Sequence, residues 1–89
     1  MRSIHRTSQF KKDAKCMKRR GKDLAEFKEV IEKLASDQVL ETKYQDHPLI
    51  GQYKDTRECH IESDWLLVYE RTKSELVLVR TGTHSDLFK

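Results

Sequence analysis

The apolar residues of this chain change period near residue 46, and that change dictates a two-part fold. Before it, Phe10, Ala14 and Met17, then Leu24, Phe27, Val30, Ile31 and Leu34, recur at three- and four-residue steps. Such spacing puts side chains along one face of an α-helix. After it come short runs over 56–61, 65–71 and 75–81, rich in β-branched, aromatic and aliphatic residues. These read as strands, and the short separators 62–64 and 72–74 suit hairpin loops. Three strands joined this way make an antiparallel meander.

The breaks between segments follow from local chemistry. Thr7 or Ser8 is suited to cap a helix over 8–20, and Gly21 to end it, because glycine adopts the left-handed turn at low cost. Asp23 followed by Glu26 reads as a variant capping box for a second helix over 24–36. Residues 2–6 read as a short strand leading into the first helix, and 84–88 as a closing helical turn. The expectation is one α+β domain of order β-α-α-β-β-β, its antiparallel sheet packed against two N-terminal helices. The runs Leu66-Leu67-Val68 and Leu76-Val77-Leu78-Val79 are nearly continuous. They imply a sheet covered by helices on one face and partly buried on the other.

Eighty-nine residues leave no room for a second core. The net charge is only +3, but residues 1–23 hold nine Lys/Arg against two acidic residues. A basic face set against a balanced remainder suits a polyanion, RNA or ribosome first. On charge alone, a solvated helix face is the better explanation. Two cysteines, Cys16 and Cys59, make no disulfide framework. No apolar run approaches the ~20 residues of a membrane helix, and the N-terminus lacks the apolar core of a signal peptide. A cytoplasmic protein with reduced thiols is expected, with no membrane partner.

Three of the four histidines, His47, His60 and His84, fall in the strand-rich half. Imidazole gives or takes a proton near neutrality. RNA cleavage needs that service twice, once to deprotonate the attacking 2′-OH and once to protonate the departing 5′-oxygen. A fixed cation beside the phosphate favours the charged transition state, and Arg57 and Arg80 are the strand-borne candidates. The histidines stand thirteen and twenty-four residues apart, with no Cys-x-x-Cys or His-x-x-x-His pairing. Asp64 follows His60 by four residues, with a turn expected between them. Spacing therefore points to no metal and no cofactor. Each histidine also has a plain structural explanation, and residue chemistry alone stops at a cytoplasmic α+β domain with a basic face.

Longer motifs go further. Asp46-His47-Pro48-Leu49 with Gly51, Arg57-Glu58-Cys59-His60-Ile61, Asp64-Trp65-Leu66-Leu67-Val68-Tyr69 and Arg80-Thr81-Gly82-Thr83-His84-Ser85-Asp86-Leu87-Phe88 resemble, in order and spacing, the YafQ branch of the RelE toxin superfamily. Phe10-Lys11-Lys12-Asp13 and Lys18-Arg19-Arg20 extend the resemblance over nearly the whole chain. It implies a RelE-like fold and the toxin of a type II toxin–antitoxin system. Such a toxin is a metal-independent endoribonuclease that cuts mRNA in the ribosomal A site. It implies His47, His60, Asp64 and His84 as the acid–base group, with His84 and Asp64 leading, and Arg80 as the phosphate-binding arginine. Trp65 and Phe88 match aromatic positions where an unstacked base can rest, although sheet core explains Trp65 as readily. Arg57 ranks below Arg80 as a substrate contact. Lys11, Lys12, Lys15, Lys18, Arg19, Arg20 and Lys22 become an anchor for ribosomal RNA. The implied partners are the ribosome with its mRNA and a cognate antitoxin, a DNA-binding dimer with a segment that folds over the toxin. A non-catalytic RNA- or antitoxin-binding module on the same fold is the alternative.

Overall fold

The computed structural model describes residues 2–48, 56–62 and 64–87. In chain order it has β1 (Ser3–Arg6), α1 (Ser8–Arg19), α2 (Leu24–Ala35), a 3-10 turn (Thr42–Tyr44), β2 (His47–Pro48), β3 (Arg57–Glu62), β4 (Trp65–Arg71), β5 (Glu75–Gly82) and α3 (His84–Leu87). The α+β class and the two N-terminal helices match the sequence reading. The sheet has order β1-β5-β4-β3-β2. Strands β2 to β5 pair antiparallel, but β1 joins β5 in parallel, Ser3 opposite Glu75 and Arg6 opposite Leu78. The sheet is therefore mixed rather than wholly antiparallel. The reason is topological: α1 and α2 cross over one face, so β1 and β5 run the same way at the far edge.

The helix ends form as their residues dictate. Thr7 Oγ1 accepts from the Phe10 N–H at 3.0 Å, and Asp23 Oδ1 accepts from the Ala25 N–H at 2.9 Å. These satisfy amides that the first helical turn leaves unpaired. Gly21, at φ +82°, lets the Lys22 N–H reach back to the Met17 carbonyl at 3.2 Å, a Schellman closure.

Along β4 the side chains separate into two clusters. Trp65, Leu67 and Tyr69 join Cys59, Ile61, Leu76 and Leu78 beneath Phe10, Met17, Phe27, Val30 and Leu34 of the helices. Leu66 and Val68 instead meet Leu87 and the partly buried Val79. Successive residues of a strand point to opposite faces, so these are the two faces of the sheet. The helices cover one face, and the short α3 caps part of the other. No helix among the described residues is long and apolar enough to cross a membrane.

Candidate active site

The second face, away from the helices, collects the histidines. Directly opposed residues of antiparallel strands share a face. Glu58 pairs with Val68, His60 with Leu66, and His47 with Glu58. All three polar side chains therefore stand on the Leu66/Val68 side. The ring centroids of His47 and His60 lie 6.1 Å apart, and those of His60 and His84 5.9 Å. A meander thus brings together residues that are distant in sequence.

Glu58 lies at the centre of this group. Its carboxylate is buried, 4% exposed, with Oε2 at 3.1 Å from His47 Nε2 and 3.6 Å from His60 Nε2. Oε1 has no hydrogen-bond partner among the described residues. A buried oxygen without a partner costs free energy, and such groups persist at functional sites. Gln45 places its carbonyl 2.7 Å from His47 Nδ1, which fixes a proton there and turns Nε2 toward Glu58. His47 Nε2 and the Glu58 carboxylate then face each other. They need a proton or a cation between them. One ligand atom from each of His47, Glu58 and His60 lies within 4.8 Å of the others, close enough to hold a metal ion. The long spacing between the histidines concealed that cluster.

His84 opens α3 at the rim. Its backbone N–H donates to Asp64 Oδ1 at 3.3 Å, and its Nδ1 lies 3.5 Å from the same oxygen. Asp64 thereby orients the ring from the β3–β4 turn. Arg80, on β5, follows Glu58 and Val68 in one cross-strand row. Its backbone is about 10 Å from that of Glu58, given the strand spacing. The guanidinium donates to both carboxylate oxygens of the buried Asp13, Nε at 2.9 Å and Nη2 at 3.1 Å. Asp13 also accepts from the Thr81 N–H at 3.3 Å, so one acid aims Arg80 from α1.

Several expected residues lie elsewhere. Trp65 is 1% exposed, stacked on Phe27 at 5.0 Å between centroids, and its Nε1–H donates to Thr81 Oγ1 at 2.8 Å. It is core, with no face for a base. Arg57 pairs with Tyr69 and so projects to the helix-side face, where it donates to Asp46 at 3.0 Å. Tyr69 hydroxyl donates to the same carboxylate at 2.6 Å. Burial, then that carboxylate, pushes the phenol up, so it stays a donor. Arg57 thus serves the fold's rim and is separated by the sheet from the histidines. Phe88 and the motif positions Leu49 and Gly51 lie outside the described residues.

Lys11, Lys12, Lys15, Lys18 and Arg19 stand exposed on α1 as expected. Lys22 is drawn to Glu62 at 3.5 Å, and Arg20 is bound to Asp86, Nη1 to Oδ2 at 2.8 Å. Glu58 and Asp13 were not singled out from sequence, yet both carried a signal. Glu58 stands two residues before His60 on a strand and must share its face. Asp13 occupies the apolar stripe of α1, three residues after Phe10 and four before Met17, where an acid requires a cationic partner.

Residues 2–89 match the family model described as "Bacterial toxin of type II toxin-antitoxin system, YafQ". The chain is 40% identical over 88 residues to the mRNA interferase toxin YafQ of Escherichia coli K12, covering 98% of this chain and 96% of that one. The toxin in the crystal structure of the E. coli DinJ-YafQ toxin-antitoxin complex superposes with a TM-score of 0.92 at 39% identity, covering 99% of this chain and 98% of that one. A metal-bound toxin from Helicobacter pylori superposes with a TM-score of 0.93 at 47% identity, covering 99% of this chain and 100% of that one.

Proposed function

This chain belongs to the YafQ family of toxins from type II toxin–antitoxin systems, and from that premise we propose that it cleaves mRNA in the ribosomal A site by metal-independent acid–base catalysis. The observation that carries the reading is the open-face group: a buried carboxylate between two imidazoles, one of its oxygens without a partner among the described residues, and a third imidazole held by its own acid. Binding alone makes no demand for such a set, which argues against a module that only binds.

In this mechanism the Glu58–His47–His60 group accepts the proton of the ribose 2′-OH. The freed oxygen attacks the adjacent phosphorus. His84, with Nδ1 turned to Asp64, gives a proton from its outer nitrogen to the departing 5′-oxygen. Arg80, aimed by Asp13, offsets the charge that gathers on the five-coordinate phosphate. The products are a 2′,3′-cyclic phosphate and a 5′-OH. Asp64 acts here on His84 rather than on the RNA.

The exposed cations of α1 supply the anchor on ribosomal RNA, where phosphate contacts position without reading sequence. The YafQ of the DinJ-YafQ structure is bound to its antitoxin. For this chain we infer a cognate antitoxin, a DNA-binding dimer whose acidic, flexible segment orders over the basic surface. The ribosome as substrate platform places the work in the cytoplasm.

A metal reading has its own support: His47, Glu58 and His60 suit a transition ion, and the H. pylori relative is metal-bound. In this chain such an ion would occupy the lone pairs that proton transfer requires, so we infer inhibition by metal rather than activation. The experiment is cleavage of mRNA on ribosomes with an empty A site, and of the same RNA alone, with and without chelator. Ribosome-dependent cleavage that survives chelator and slows with added zinc or copper supports both inferences. Activity abolished by chelator and restored by a divalent ion contradicts them.

A further inference from the structure

His84 is carried by a single helical turn of four residues, too short to be stable by itself. Its distance from His60 therefore depends on what ties that turn down. Besides the Asp64 carboxylate that accepts the His84 N–H at 3.3 Å, three ties are evident among the described residues. Leu87 is buried against Leu66 and Val68. Thr83 and Asp86 form a reciprocal cap: Thr83 N–H donates to Asp86 Oδ2 at 3.0 Å, and Asp86 N–H donates to Thr83 Oγ1 at 3.2 Å. Then Arg20, one residue beyond the end of α1, grips the outer side of Asp86 with a two-pronged contact, Nη1 to Oδ2 at 2.8 Å and Nη2 to Oδ1 at 3.4 Å.

The rest of the neighbourhood fits that grip. Gly82, at φ +155°, has no side chain, and a Cβ there would meet Asp86 Oδ2 at 3.0 Å and its Cβ at 3.1 Å. The backbone thus turns directly beneath the acid. Arg20 itself follows the exposed basic run of α1, and sequence groups it with the RNA anchors. Its guanidinium points instead to the turn that bears His84.

We propose that Arg20 and Asp86 form a positioning pair that holds α3, and with it His84, at its working distance from the His60–Glu58 group. The inference rests on the ribonuclease reading above for its effect on rate. Arg20 is a positioning residue and touches no reacting atom. Displacing a proton donor by about 1 Å can cost on the order of 100-fold in rate, so a modest slackening of α3 is enough to be measured.

The test separates rate at saturation from affinity. Arg20→Ala, Arg20→Lys and Asp86→Asn are compared with wild type in single-turnover cleavage across a titration of programmed ribosomes. Arg20→Ala is expected to lower the saturated rate about tenfold or more, with half-saturation shifted less than about threefold. Arg20→Lys recovers part of the rate because it restores the charge without the fork. The double variant Arg20→Ala with Asp86→Asn falls little below either single one, as partners in one contact should. In parallel, NMR of the free protein is expected to show the His84 ring resonances displaced in Arg20→Ala and those of His47 unmoved. An unchanged saturated rate with weakened affinity and a flatter salt dependence would instead make Arg20 an RNA contact and overturn the proposal. Unmoved His84 resonances in a folded Arg20→Ala would overturn it as well. If wild type fails to cleave at all, the ribonuclease reading falls, while the His84 resonances still decide the pairing.

Discussion

The two faces of one sheet are built to opposite ends. On the helix side, Cys59, Ile61, Trp65, Leu67, Tyr69, Leu76 and Leu78 are buried, and their polar atoms have partners: Trp65 donates to Thr81, Tyr69 to Asp46. On the other side, a few residues away on the same strands, Glu58 keeps a buried oxygen with no partner among the described residues, and the exposed rings of His47 and His84 flank a half-buried His60. One face contributes stability, and the other gives some of it up to hold reactive groups in place. Alternation along β3 and β4 is all that separates them.

The contrast between the two faces is sharpest at Trp65. Trp65→Ala should cost about 3–5 kcal/mol, a large part of what a domain this small has. Denaturant unfolding would report it, and a Trp65→Ala protein with near-native stability but poor RNA binding would restore the base-stacking role. His84→Ala should do the reverse. Cleavage on the ribosome should fall by roughly 10²–10⁴-fold, while stability stays within about 0.5 kcal/mol, as for surface substitutions. A comparable loss of stability would mean that the histidine belongs to the core.

A smaller effect is expected from the basic surface of α1. Neutralising Lys11, Lys12 and Lys15 together should weaken ribosome binding, and each lost cation should reduce the salt slope by about one. The rate at saturation should stay near wild type. Binding that is indifferent to salt in both proteins would remove the electrostatic anchor.

Smallest is a pH effect at Asp86. Its carboxyl is held below the usual range, first by the Arg20 hydrogen bond and then by the Thr83 N–H. A group depressed in the folded state contributes stability above its unfolded value, near 3.9 for Asp, and loses it as pH falls through the folded one. Acid titration below about pH 4 should therefore destabilise wild type more than Asp86→Asn, and only slightly, because the pair is largely solvated. Parallel acid limbs would show that the ion pair contributes nothing.

What could be read in advance follows the same division. The helix-side core was legible because burial imposes pattern: Phe27, Val30 and Leu34 fall at helical steps, and the near-continuous apolar runs of β4 and β5 mark strands. The four-residue β1 was legible as a strand, but not its parallel pairing with β5, because an exposed edge strand carries no pattern that names its neighbour. On the open face, residue chemistry singled out His47, His60, His84 and Arg80 as candidates, and motif resemblance added Asp64 and joined them into one group. It passed over Glu58 and Asp13, whose roles depend on contacts across strands and between elements rather than on spacing. It also grouped Arg20 with its basic neighbours, although a pairing 66 residues away claims that side chain. Charge is visible in sequence; the partner that engages it is not.

The most direct test of the two-face account is Glu58→Gln, followed by thermal unfolding and single-turnover cleavage on the same preparation. The amide removes a buried charge and keeps the shape. The expected melting temperature is equal to or above wild type, because a buried carboxylate oxygen with no partner among the described residues is costly, with cleavage reduced about 100-fold or more. A clear fall in melting temperature with cleavage near wild type would contradict the two-face account, and would make Glu58 part of the structural frame instead of the reaction.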